Sequence, residues 1–388
     1  MQRNQMAMIF TLLTVTFVGF GIVIPIMPEL PVMTPFHLSM LLALYSAVSF
    51  VMSPLWGAWS DRIGRKPVIA AGILGYFASF LLLAVTLDHL WLIYASRLLG
   101  GFFSGAVVSC AVASVADITT HENRTKGMGL VGMAIGFGFV IGPGVGGVLS
   151  IFGHRLPFAV SALLSLVLWA VVLAKWRETL PTEKRRQADA PRPSRFAAFR
   201  GRMKHLYGLV FVASFTLAGL EATLQFFEME KIGITAFQMG IMLFASGLIG
   251  ALIQGGVVRR LVKPGTESRY VLIGLLLQSA GFLLLLFSSS LWNALLFLLV
   301  FSSGNALVRP CVTSLITQKT TVEQGVASGL GSSMDSLGRI AGPLAASSLF
   351  YMDIHLPYAA GAFVALCAVL LIVRFRALDR RAAPAGRT

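Results

Sequence analysis

Apolar residues along the chain come in runs of about twenty, the length an α-helix needs to cross the hydrocarbon of a bilayer, and short polar breaks separate them. Twelve such runs are present, at 6–27, 37–57, 68–87, 91–114, 128–151 and 156–176, then at 206–227, 237–258, 269–289, 291–315, 324–350 and 356–374. Backbone polar groups in hydrocarbon must be satisfied within the segment, so each run predicts a helix. The expected fold is an all-α membrane protein with twelve transmembrane helices. An even number of crossings puts both termini on one side. The first run lacks a small-residue cleavage site and leads straight into further spans, so it is expected to be the first helix rather than a removed signal peptide.

The polar breaks sort by charge. Of the 31 Lys and Arg residues, 26 fall on the side of the termini, the others being Arg97, Arg155, Lys231, Arg309 and Arg339. The positive-inside rule then predicts cytoplasmic termini and a multi-pass protein of the cell (inner) membrane. The longest break, 177–205, is rich in Arg, Lys, Pro and Ala and has no apolar period. It reads as a cytoplasmic linker between a six-helix half at 1–176 and a second at 206–376, with a cytoplasmic tail at 377–388.

The two halves echo one another. The fifth span carries Gly129, Gly138, Gly142-Pro143 and Gly146-Gly147, and the eleventh carries Gly329, Gly338, Gly342-Pro343 and Ala345-Ala346 at identical spacing. Duplicated transporters of this kind place solute near the membrane midplane and alternate access by rocking their halves.

Composition narrows the function. The chain is 56% hydrophobic and only 12% charged, whereas soluble domains are about a quarter charged. A net charge of +15 suggests nucleic acid at first sight, but the bases lie in short inter-helix loops rather than on one face, so nucleic acid is excluded as a partner. Cys110, Cys311 and Cys367 all sit in apolar runs with neither metal-ligand nor disulfide spacing. No phosphate-binding loop, metal cluster or nucleophile–base arrangement is present, so no enzyme, ATP-driven pump, metal or cofactor is expected. The expected partners are a small-molecule substrate, protons and the lipid bilayer, and the chain is expected to act as a monomer.

Several motifs stand out against this background. Between the second and third spans, Gly57-Ala-Trp-Ser-Asp61-Arg62-Ile-Gly64-Arg65-Lys66 concentrates charges that have no place in hydrocarbon and predicts a tight aqueous turn. It resembles the loop between helices 2 and 3 that marks the major facilitator superfamily. The fifth-span series resembles the antiporter motif of drug:proton antiporters in that superfamily. Gly21-x3-Pro25-x2-Pro28 in the first span and Arg97-Leu-Leu-Gly-Gly-Phe-Phe-Ser-Gly105 in the fourth match the same exporters. The helix around Glu221 resembles that of the NorA-type multidrug exporters, and that likeness extends over essentially the whole chain.

That resemblance implies a major facilitator fold and proton-coupled export of small amphipathic compounds, direction being inferred from the fifth-span motif. It implies a proton-transfer role for Arg97. It also implies a conformational latch in which Asp117 pairs with Arg65, alongside Gly57, Asp61, Arg62 and Gly64. An exporter of one endogenous metabolite, such as a siderophore or a sugar, is the nearest alternative. Uptake symport and a non-transporting sensor are weaker ones.

Charged residues inside the spans are the remaining candidates, because an intramembrane charge is expensive and usually functional. Glu221 is flanked by Leu217-Ala-Gly-Leu220 and Ala222-Thr-Leu224, an apolar setting in which a carboxyl readily takes up a proton. By resemblance it is the coupling acid. The chain departs from NorA-type exporters at Asn305, where they carry an acid. Arg309 follows one turn later, and Asp335 and Arg339 stand four apart in the eleventh span. That spacing allows either a structural pair or, with Arg309, a site attracting an anionic or zwitterionic solute.

Overall fold

A computed structural model describes residues 2–120, 123–180, 199, 201–263, 265–320, 322 and 324–382. Among these are twelve long helices and no strand. They are α1 (Gln2–Ile26), α2 (Pro35–Ile63), α3 (Arg65–Thr86), α4 (Leu90–Ile118), α5 (Arg124–Ser150), α6 (Leu156–Lys175) and α7 (Met203–Ile232). There follow α8 (Ala236–Leu261), α9 (Glu267–Leu285), α10 (Leu291–Lys319), α11 (Gln324–Met352) and α12 (Leu356–Ala382). Helix α8 passes through a π-helical turn at Ile253–Val258. Much of the predicted linker, 181–198 and 200, lies outside the described residues.

Most of the helices overrun the apolar runs that announce them, because i to i−4 hydrogen bonding continues through the polar residues that flank each run. Local chemistry stops them: Thr34 caps α2 by accepting from the His37 amide with Pro35 in the first turn. Ser290 and Asn293 form a capping box on α10, and α7 ends at Gly233 with a left-handed φ of 66°.

Among the described residues eleven helices are long and apolar enough to cross a membrane by length and composition, and of the twelve the exception is α11. Its Ser and Gly residues and its Asp335 and Arg339 dilute the hydropathy. Phe363 and Leu163 are 67% and 60% exposed. Such outward apolar side chains fit a multi-pass membrane protein whose solvent is lipid.

Backbone contacts divide the chain into two compact units, Met1–Pro191 with Thr235–Phe244, and Arg192–Ile234 with Ala245–Thr388. In the first, α1 packs on α5, and α4 on α2 and α3. In the second, α7 packs on α11 and α12, and α9 on α10. Glycine lets the backbones approach in both. A Cβ on Gly142 would lie 2.6 Å from the Val18 carbonyl oxygen of α1, and one on Gly338 would lie 2.6 Å from that of Phe211 in α7. The glycine repeat in the sequence is thus one helix-pair contact built twice.

Candidate functional site

The charged stretch at 61–66 is not a six-residue loop. Helix α2 runs to Ile63 and α3 starts at Arg65, leaving Gly64 as the only residue between them. Gly64 has φ 107° and ψ 162°, a conformation open essentially to glycine alone. That sharp reversal sends the Arg65 side chain back along α2. Its Nη1 donates to Asp61 at 2.6 Å and to Ser60 Oγ at 2.5 Å, and its Nε donates to Asp117 of α4 at 3.0 Å. The side chain is 7% exposed, so a guanidinium held by two acids clips α4 to the α2–α3 turn. Arg62 is exposed, and a Cβ at Gly57 would meet nothing within 4 Å. Asp61, Arg65 and Asp117 therefore form the cluster, with Gly64 as its hinge.

The segment just after α6 supplies a member that the sequence does not announce. The Glu178 carboxylate accepts from the backbone amides of Arg65 at 2.8 Å and Lys66 at 3.1 Å, capping α3. It also accepts from Thr179 and Leu180, and Thr179 Oγ1 donates to Asp117 at 3.3 Å. The start of the stretch read as a linker is therefore docked. Burial pushes the Glu178 carboxyl up, but the four amides outweigh it and hold it below the usual range.

A depressed carboxyl contributes stability above its unfolded value of about 4.3 and loses it as pH falls through the lower folded value. Glu178→Gln is expected to destabilise the detergent-solubilised protein by about 1–2 kcal/mol near neutral pH. The gap should close in acid, as followed by thermal melting. A gap of the same size at every pH would show that the charge is not what matters.

In the second unit, three helices bring charges together. Arg309 of α10 donates through Nη2 to Asp335 of α11, and Arg339 reaches the other oxygen of Asp335 through Nε at 3.3 Å. Ser214 of α7 donates to Asp335 at 2.5 Å. Glu221, two turns further along α7, lies within electrostatic reach of Arg309, Arg339 and Asp335. Asp335 is thus shared between two arginines on two helices, which joins the alternatives left open by the i,i+4 spacing: it pairs with Arg339 and also belongs to the group around Glu221. Asn305 instead accepts from Gln278 of α9 at 3.2 Å.

Arg97 is buried within its helix unit. It is 2% exposed, with Nη2 3.5 Å from Ser79 Oγ and its guanidinium carbon 5.3 Å from the Phe80 ring centre and 6.0 Å from that of Tyr45. Aromatic faces supply its counter-field.

The antiporter-motif glycines divide in two. Gly138, Gly142 and Gly146 lie against the α1 backbone, and Gly147 against Ala236 and Gly240 of α8, whereas Gly129 has open space around it. Pro143 sits inside α5 and its Cδ is packed over Gly21 of α1. A cavity of about 130 Å³ opens between α7, α9, α11 and α12, lined by Thr216, Gly219, Thr223, Phe282 and Tyr358 among others. Glu221 projects from the other side of α7, since residues two apart on a helix differ by ~200°.

Two acids escaped the sequence reading. Glu29, after α1, accepts from the Ala236 amide that opens α8 and lies 2.8 Å from His154 Nε2. Its partners are scattered along the chain, so no local signal marks it. Glu228 stands seven residues beyond Glu221, on the same helix face, and is fully buried; that spacing was available as a signal.

The comparisons agree with this architecture. The sequence model of the Major Facilitator Superfamily matches residues 9–271 and 265–388. Multidrug resistance protein 2 of Bacillus subtilis (strain 168) is 32% identical over 377 residues, 93% of each chain. Quinolone resistance protein NorA of Staphylococcus aureus is 25% identical over 387 residues, 96% of each chain. The crystal structure of the human organic anion transporter MFSD10 superposes with a TM-score of 0.72 at 27% identity, covering 96% of this chain and 99% of that one.

Proposed function

The chain belongs to the major facilitator superfamily, and from that premise we propose that it exports small amphipathic compounds in exchange for protons, with Glu221 as the exchanging group. Its relatives carry multidrug and quinolone resistance in their names. The excess of Lys and Arg on the side of the termini supports a cell-membrane protein with cytoplasmic termini.

The observation that carries the reading is the setting of Glu221. With Glu221 ionised, the group Arg309, Arg339, Asp335 and Glu221 sums to zero charge; with a proton on Glu221 it becomes positive. A solute with a basic group can pair with the Glu221 carboxylate in the first state and is repelled by the net positive group in the second, which is what exchange requires. The proton gradient supplies the drive, each charge contributing about 2.3 kcal/mol per 100 mV. Arg97 assists from the first unit, and the Asp61–Arg65–Asp117 cluster is the conformational latch, broken and remade in each cycle.

The test is proton release from proteoliposomes or everted vesicles on addition of dyes, antibiotics and metabolites one at a time. Responses to many unrelated lipophilic compounds are expected. Response to a single acid or chelator would instead make the protein a dedicated metabolite exporter, and the charged group around Asp335 would then serve that one solute.

A further inference from the structure

We propose that Arg269, Arg376 and Arg380 form a binding site for the phosphate group of an anionic phospholipid, where α9 and α12 meet beside the basic α8–α9 connection.

Helices α9 and α12 pack together, and at this end Arg376 Nε donates to Ser268 Oγ at 2.9 Å. Arg269 is the next residue after Ser268, in the first turn of α9. Arg380 stands one turn beyond Arg376, on the same face of α12. Both lie within electrostatic reach of Arg376. Arg376 is half-buried, whereas Arg269 and Arg380 are exposed.

The neighbouring acids are committed elsewhere. Glu267 is buried, and its carboxylate accepts from Gln318 Nε2 and from the Gly265 amide, each at 2.7 Å. Asp379, between Arg376 and Arg380 in the chain, lies 2.9 Å from Lys319 of α10 and 2.8 Å from Arg202 before α7. Among the described residues none of the three arginines forms an ion pair, and the Arg376 Nη groups make no hydrogen bond. Arg65, Arg309 and Arg339, by contrast, are each held by an acid. Three like charges gathered without an acid repel one another, and an anion among them relieves that repulsion. Guanidinium forks match the geometry of phosphate oxygens, and the N-terminal end of α9 adds partial positive charge.

The position of the group favours a lipid as the source of the phosphate. The apolar run of α9 begins at 269 and that of α12 ends at 374, so the arginines stand where each run gives way to polar chain. Exposed apolar side chains continue their faces. Ile273 and Leu276 follow Arg269 by four and seven residues, and Val373 precedes Arg376 by three and Arg380 by seven. A phosphate held by the arginines thus has its acyl chains beside these side chains. Basic pockets between membrane helices bind lipid headgroups in this way.

The test is titration of phosphatidylglycerol and phosphatidylcholine into the detergent-solubilised full chain, followed by native mass spectrometry. Phosphatidylglycerol is expected to bind more tightly, and Arg269→Gln with Arg380→Gln to weaken it at least about tenfold. Arg259→Gln with Lys263→Gln removes the same charge from the same end and is expected to leave the affinity unchanged. Equal affinity of the wild type for both lipids, wild-type affinity in the first variant, or an equal loss in the second would overturn the proposal. Inorganic phosphate at matched ionic strength is expected to leave the bound lipid in place, and its displacement would overturn the assignment to a lipid. Both substituted arginines are exposed, so a wild-type size-exclusion profile is expected. Were that profile altered, Arg376→Lys decides: it keeps the charge but not the fork, and should weaken binding at least about threefold, whereas wild-type affinity would overturn the proposal.

Discussion

Substitution of Glu221 by glutamine is expected to reduce substrate-driven proton release by about two orders of magnitude or more while leaving expression and melting temperature close to wild type. Glutamine reproduces the shape and the donors of the neutral acid but has no proton to give. The charged group around it then stays at one charge, with Arg309 and Arg339 against Asp335 alone, so the switch in solute attraction is lost. Folding should tolerate the change, because the fold's own ion pairs run through Asp335 and not through Glu221. The check is a pH-sensitive dye inside proteoliposomes, together with a direct binding measurement. Binding of a basic solute should become independent of pH between about 5 and 8. Proton release at the wild-type rate would remove Glu221 from the mechanism.

The second large effect is structural. A Cβ on Gly342 would meet the Phe215 carbonyl oxygen well inside van der Waals contact, and the Gly219 amide nitrogen at 3.1 Å. Both obstacles are backbone, so no rotamer change relieves them, and α7 would have to separate from α11. Overpacking in a well-packed interior costs about 1–3 kcal/mol even where side chains can adjust, so Gly342→Val is expected to exceed that range. Loss of folded protein in size-exclusion profiles is the expected result. Gly331→Ala is the matched control on the same helix, since nothing lies within 4 Å of the added carbon. Because Asp335 and Arg339 ride on α11, a milder Gly342→Ala should also shift the pH profile of transport through the same displacement.

How much of this was legible in the chain depends on the range of the interaction involved. Each of the twelve spans came from the local hydropathy of one segment, and even α11, the weakest by hydropathy, is a helix. The Arg65–Asp117 pair came from a motif that couples distant positions by resemblance. Its hinge was less visible: the charges suggested a loop, and the structure has one residue, Gly64, between two helices. The antiporter motif looked uniform as a series, yet Gly138 and Gly142 touch another backbone while Gly129 touches nothing. Spacing along a helix states which face a residue is on, not what lies opposite.

By itself the sequence determined the fold class, the number of spans, the duplicated glycine pattern and the presence of a few costly charges within spans, because each follows from what one segment must do in hydrocarbon. Only the tertiary structure decided how those charges group. It joined Asp335 to both Arg309 and Arg339 and set Asn305 against Gln278 instead. It folded Arg97 between aromatic rings and buried Glu228 completely. Those outcomes depend on which helix faces meet, and that is a property of packing between segments far apart in the chain.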